Sequence, residues 1–315
     1  MRDDRGVNHR LGLAQICLAG VLWGTGGLGV QIVRDHVPMS VLTISAWRMG
    51  IAAVVLLVAV LATRQGAAVA QLVRTRPAYA ALVGACTAAY QALYFGAVVA
   101  VGVSVATVVS LGLAPVLLTL GETVAHRQAP SRSRLLVLGA ALSGLVLVSS
   151  TAGLGETGPD PALGVLLAVG SGAAYALTTA LGRPLAQSTP PLALTTTTTT
   201  VGAIVLVPLA VLGGGPGLTG DATAVATLIY LGVLTMALAY GLLYAGLRTA
   251  TGSSAVIATL LEPVTAALLA AAFLDERLGV AGVVGTGLIL AAVAGLARPS
   301  GPVAQTVESG LSTRT

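Results

Sequence analysis

The chain repeats itself at an interval of about 150 residues, and both copies are apolar. Ala89–Gly96 reads AYQALYFG, and Ala239–Gly246 reads AYGLLYAG, 150 residues later. Gly102 and Ser104 recur as Gly252 and Ser254 at the same offset, while Trp23, Pro38 and Gly50 recur as Tyr175, Pro190 and Gly202, 152 residues on. Two copies of one unit mean that two similar halves must pack against each other. In a membrane protein this arrangement points to a transporter, whose halves rock about a site between them.

Composition decides the solvent. The 315 residues are 56% hydrophobic and 9% charged, whereas a soluble domain is roughly a quarter charged. Lipid must therefore cover most of the surface. The apolar runs approach the ~20 residues that a bilayer-spanning helix needs, which argues against the shorter, alternating strands of a barrel. The net charge of +5 comes from scattered arginines; membrane orientation explains them better than nucleic acid does.

Ten spans are expected, at 11–33, 39–62, 77–99, 104–125, 135–152, 162–182, 191–212, 223–247, 253–274 and 279–297. Turn and charge signals separate them, among them Arg74-Thr75-Arg76-Pro77 and Asp275-Glu276-Arg277. Residues 1–10 form a cytoplasmic N-terminus, 11–152 the first five-helix repeat, 153–161 an external linker, 162–297 the second repeat, and 298–315 a disordered cytoplasmic tail. The apolar stretch from Leu11 is of full span length and reads as an uncleaved first helix rather than a signal peptide. With the N-terminus inside, thirteen arginines fall in cytoplasmic segments and only Arg34 and Arg277 outside, a clear positive-inside bias. Five spans per copy is an odd number, so the second copy enters from the opposite side. The expected fold class is thus an all-α polytopic membrane protein, ten transmembrane helices as two inverted five-helix repeats.

Few residues in the spans can carry chemistry. Arg48 and Glu262 each lie nine residues into a span, about 13 Å at 1.5 Å per residue, near the middle of a ~30 Å core. Charges there face a cavity or a partner. One reading has both line a central cavity, Arg48 attracting an anionic group and Glu262 binding a proton or an amine. The other has them neutralise each other. Glu122 sits near a span end and can lean to the interface. Pro263 and its counterpart Pro115 each remove a backbone donor and mark helix kinks, freeing a carbonyl near Thr259 or Leu111. Matched interruptions in two halves point to a transport site.

The chain has only two Trp, seven Tyr and two Phe. Tyr90 with Tyr94, and Tyr240 with Tyr244, stand at i and i+4 and share a helix face. They either line the cavity or pack; Trp23 and Tyr175 are a similar equivalent pair. The run Thr195–Thr200 is tolerated in a span because its hydroxyls can bond back to helix carbonyls, and it is a further candidate for a wet path. Gly20 with Gly24, and Gly282 with Gly285, suit close helix packing. Cys17 and Cys86 fall in spans without metal-ligand spacing and read as core.

The stretch Leu261-Glu262-Pro263-Val264 followed by Leu274-Asp275-Glu276-Arg277-Leu278 resembles the second-repeat signature of EamA-type transporters, in the drug/metabolite transporter superfamily. Trp23-Gly24 and Arg48 are similar to the opening of the first repeat. The resemblance covers residues 13–297. It implies ten helices, five plus five inverted, and export of small metabolites, amino acids or drugs across the cytoplasmic membrane. Two departures stand out. Arg127-Gln128 replaces the Glu-Arg pair that usually follows helix four, which touches loop symmetry rather than fold. Thr200 stands opposite Arg48, so any role for the arginine is one-sided.

The expected function is secondary transport, with export, by alternating access. Proton coupling is favoured because no GxxxxGK[ST] loop occurs; an uncoupled exchanger or facilitator is the alternative. The expected partners are a small-molecule substrate and the bilayer, without nucleic acid, cofactor or metal, and a homodimer is left open. An intramembrane enzyme is disfavoured because His9, His36 and His126 all lie at or beyond span ends. A non-transporting receptor would lack a water-accessible path.

Overall fold

The computed structural model describes residues 2–151, 159–213, 217, 219–273 and 279–296. Most of the expected linker, the Asp275-Glu276-Arg277 break and the tail from 298 lie outside the described residues. Among the described residues, nine helices have the length and apolarity to cross a membrane, and the shorter apolar helix Val280–Leu296 makes a tenth.

The first span has two helices, α1 (Arg2–Gly24) and α2 (Gly26–His36). The sequence predicts one unbroken helix here. The break comes from Thr25, whose hydroxyl donates back to the Leu22 carbonyl at 2.7 Å while accepting from the Tyr230 hydroxyl at 2.7 Å, so local bonds compete with the helical ladder. The second span, α3 (Val41–Ala62), starts where Ser40 accepts the Thr43 N–H at 3.1 Å. Next comes α4 (Gly66–Thr75), which buries Leu72; the sequence predicts a plain loop there. Pro77 opens α5 (Pro77–Val101), in the first helical position, where its missing N–H costs nothing. Gly102, at φ 89°, turns the chain straight into α6 (Val103–His126), a conformation that side chains rarely adopt. The fifth span is α7 (Arg132–Thr151).

In the second half, Asp160 caps α8 (Pro161–Ser188) by accepting the Leu163 N–H at 3.0 Å. The seventh span is α9 (Pro191–Leu212). The eighth runs α10 (Ala222–Tyr230), a π-helical stretch Leu231–Leu238, and α11 (Ala239–Gly246). The ninth is divided into α12 (Gly252–Ala258) and α13 (Leu261–Phe273), and the tenth is α14 (Val280–Leu296). The division falls just before Pro263: the Glu262 N–H bonds to the Thr259 carbonyl at 2.9 Å, taking the acceptor that proline cannot use. The helix α6 is continuous through Pro115, so the two prolines interrupt their spans unequally.

Helix contacts come in symmetry-related pairs. Spans three and six pack together, as do spans one and eight; spans two and eight pack, as do spans three and seven. Spans two and seven, and five and ten, meet their own counterparts. The pairing holds at single glycines. A Cβ on Gly84 would lie 2.6 Å from the Thr198 carbonyl, and one on Gly232 would lie 3.1 Å from the Arg48 carbonyl. Gly20 abuts Thr259, and Gly172 abuts Ser110. Members of each pair are 148–152 residues apart. Large apolar side chains such as Leu61 and Leu136 point outward, 75% and 74% exposed, as lipid contact requires. The chain is an all-α multi-pass membrane protein of two inverted five-helix repeats.

Candidate functional site

Between the halves lies a cavity of about 270 Å³, open at one end. Its deep part is built by Trp23 of α1, Arg48 of α3, Tyr90 of α5, Tyr175 of α8, Tyr240 of α11 and Glu262 of α13. Tyr94 stands one turn above Tyr90, and Arg34, Val41, Val98 and Val103 carry the walls to the mouth. Those four lie at the helix ends opposite Asn8 and Leu296. We call the side with Asn8 and Leu296 the terminal face, and the cavity opens on the far face.

The aromatic walls obey the repeat. Trp23 meets Tyr240 edge-on at 5.1 Å, and Tyr90 stacks on Tyr175 at 5.0 Å. Trp23 corresponds to Tyr175 and Tyr90 to Tyr240, so these are two copies of one contact. Tyr175 donates to or accepts from the Thr259 hydroxyl at 2.9 Å, holding its ring against the break in the ninth span. Tyr94 pairs with Thr107 at 2.8 Å.

Arg48 donates to the Thr235 hydroxyl at 3.0 Å, and Thr235 in turn bonds the Leu231 carbonyl at 2.6 Å. Thr235 sits in the π-helical stretch, a form that often occurs at functional sites. Gly232 of the same stretch lets the backbone of Arg48 approach. Among the described residues no ion pair within 4.0 Å joins Arg48 to Glu262, but both border the one cavity and their opposite charges attract across it. Among the described residues, the Arg48 Nε and Gln91 Nε2 atoms are buried without a hydrogen-bond partner. Buried donors of this kind cost about 1–3 kcal/mol until something accepts from them.

Seven of the eight residues expected along a pathway line this one cavity: Trp23, Arg48, Tyr90, Tyr94, Tyr175, Tyr240 and Glu262. Tyr244 does not. It is wholly buried on the terminal side, against Gly182. Thr195–Thr199 are buried and away from the cavity; Thr195, Thr196, Thr197 and Thr198 bond back to carbonyls one turn earlier. Glu122 is not simply leaning to the interface, for it accepts from both Arg134 and Ser253. Gln91, Met236 and Phe95 also line the cavity and were not expected from the sequence. Gln91 follows Tyr90 in the repeated motif, where the second copy has Gly241; that substitution was the available signal.

A model of the EamA-like transporter family matches residues 10–150 and again 162–298. The chain is 31% identical over 276 residues to an uncharacterised transporter, YwfM, of Bacillus subtilis (strain 168), covering 87% of this chain and 90% of that one. A solved crystal structure of a protein shares the fold at 19% identity and a TM-score of 0.75, over 90% of this chain and 95% of the other. The family model matched over both repeats, with the 31% identity to a transporter across most of the chain, makes the chain a member of the EamA-like transporter family, within the drug/metabolite transporter superfamily.

Proposed function

We propose that this transporter exports a small organic solute across the cytoplasmic membrane by alternating access, coupled to protons through Glu262. The units that rock are the repeats 11–152 and 162–297, and both termini are cytoplasmic. The reading rests above all on the cavity: it brings Glu262, Arg48 and a ring of aromatics together between the halves, with Arg34 and Val103 at its mouth on the far face. Its volume is near the lower end for small-molecule sites, which suits a solute of metabolite size. Charged side chains within spans are costly and usually mark a pathway. The test is a proteoliposome screen of amino acids, amines and common drugs, with and without a pH gradient. Uptake that responds to the gradient supports coupling. Uptake indifferent to it supports the uncoupled exchanger instead, and no uptake of any solute would count against transport.

Arg48→Ala is expected to weaken transport of carboxylate-bearing solutes about tenfold, as loss of a charge-assisted contact does, while sparing neutral ones. Equal loss for both classes would make the arginine structural. Thr235→Val should have the same selectivity with a smaller effect, about fivefold, because it removes one hydrogen bond.

The orientation is open to a direct check. Reporter fusions after Arg132 and after Asp160 are expected on opposite sides, the first cytoplasmic. Agreement between them would break the ten-span arrangement.

A further inference from the structure

The two repeats are built alike but are not in like surroundings. Tyr94 lines the cavity, whereas its counterpart Tyr244 is wholly buried. Gly27 lines the cavity, and its counterpart Thr179, 152 residues on, is 1% exposed. Val103 stands at the open mouth. Its counterpart is Ser253, 150 residues on, at the terminal face. In an inverted repeat, the residues that one half exposes are those that the other half exposes when the access reverses. The sealed half of the pathway is therefore the set Tyr244, Thr179 and Ser253.

On the terminal side the repeats are joined by the Thr249 hydroxyl donating to the Asn8 carbonyl at 3.1 Å and by a polar knot that the cavity does not use. Glu122, near the end of α6, accepts the Ser253 N–H at 3.0 Å and the Ser253 hydroxyl at 2.8 Å. Arg134 of α7 donates to both Glu122 and Ser253. The knot ties the first repeat to the second at the start of the ninth span, nine residues from Glu262, about 13 Å along a helix. Hydrogen bonds to a carboxylate are among the stronger ones. Arg183, which donates to the Ala250 carbonyl at 2.8 Å, joins two parts of the same repeat and cannot hold the halves together. At the far face the repeats are linked by His36 and Asp221 at 3.4 Å; both are exposed, where ion pairs contribute little. The positions 148 and 150 residues after Glu122 are Ala270 and Ala272, so the sequence places no matching acid to close the opposite mouth.

We infer that Glu122, held by Arg134 and Ser253, is the lock that closes the terminal-side mouth and sets the balance between the two access states. The inference rests on the alternating-access reading above. Its test reads accessibility rather than transport. In a Cys17→Ala, Cys86→Ala background, Gly27→Cys and Thr179→Cys are probed with a hydrophilic methanethiosulfonate applied to either face. With the lock intact, Gly27→Cys reacts from the far face and Thr179→Cys scarcely reacts from the terminal face. Adding Glu122→Gln is expected to raise the Thr179→Cys rate at least about tenfold, a shift of about 1.4 kcal/mol, without raising that of Gly27→Cys. Ser253→Ala, a milder change that keeps the acid, should act in the same direction by a few-fold. Unchanged Thr179→Cys rates in both variants would overturn the lock, and so would a rise at both reporters, which means general loosening. An inert Gly27→Cys with the lock intact would overturn the pathway reading itself, and the lock with it.

Discussion

Glu262→Gln is expected to abolish transport driven by a pH gradient, a fall of about 100-fold or more, while the protein stays folded in the membrane. Glutamine matches the shape of a protonated glutamate but cannot release the proton, and exchangeable acids at membrane depth are how proton relays are built. The surroundings suit such a role. Glu262 opens α13 directly after the break at Thr259 and Leu260, and its backbone N–H is fixed on the Thr259 carbonyl. Its side chain borders the cavity beside Tyr90, Tyr175 and Tyr240, with Arg48 on the same wall but hydrogen-bonded to Thr235. A position of this kind is fixed in the backbone while its carboxylate faces the cavity. The informative comparison is counterflow, in which labelled solute exchanges for unlabelled solute without a gradient. If Glu262 carries only the proton, Glu262→Gln should keep counterflow within a few-fold while losing gradient-driven uptake. Undiminished gradient-driven uptake would remove Glu262 from coupling. Loss of both would make it part of solute binding.

Much of this architecture is legible in the residues because its determinants are local or periodic. Span lengths follow from apolar runs. The inverted relation follows from an odd number of spans per copy, and the aromatic ring from tyrosines repeated at 150 residues. Other features escaped for physical reasons. The break at Thr25 depends on Tyr230, 205 residues away. The knot at Glu122 depends on Ser253, 131 residues away. The π-helical stretch has no compositional mark; Leu231–Leu238 reads as an ordinary apolar helix. Tyr244 is the most instructive case. Sequence equivalence pairs it with Tyr94, yet Tyr94 lines the cavity and Tyr244 is wholly buried, because the burial of each depends on how the other half packs around it.

Gly172→Ala is expected to destabilise the folded protein by about 2–3 kcal/mol, near the upper end for forcing an extra carbon into a packed site. The added Cβ would lie 2.6 Å from the Ser110 carbonyl and 3.1 Å from the Leu113 Cβ. Backbone at that distance cannot give way without moving α6 against α8. The neighbouring Ser171 makes displacement more costly, since its buried hydroxyl bonds Ser110 at 2.8 Å and the Tyr90 carbonyl at 3.1 Å. The inverted repeat supplies a graded series. At Gly20, the counterpart, the Cβ would meet Thr259 at 3.1 Å, so Gly20→Ala should cost less than Gly172→Ala. At Gly27 nothing lies within 4 Å. There the usual gain of about 0.5–1 kcal/mol for alanine over glycine in a helix should survive. Thermal unfolding in detergent should therefore rank Gly27→Ala first, Gly20→Ala next and Gly172→Ala last. Equal stability of Gly172→Ala and Gly27→Ala would mean that α6 and α8 do not meet at this distance. The packing of α8, which carries Tyr175 into the cavity wall, would then have to be drawn differently.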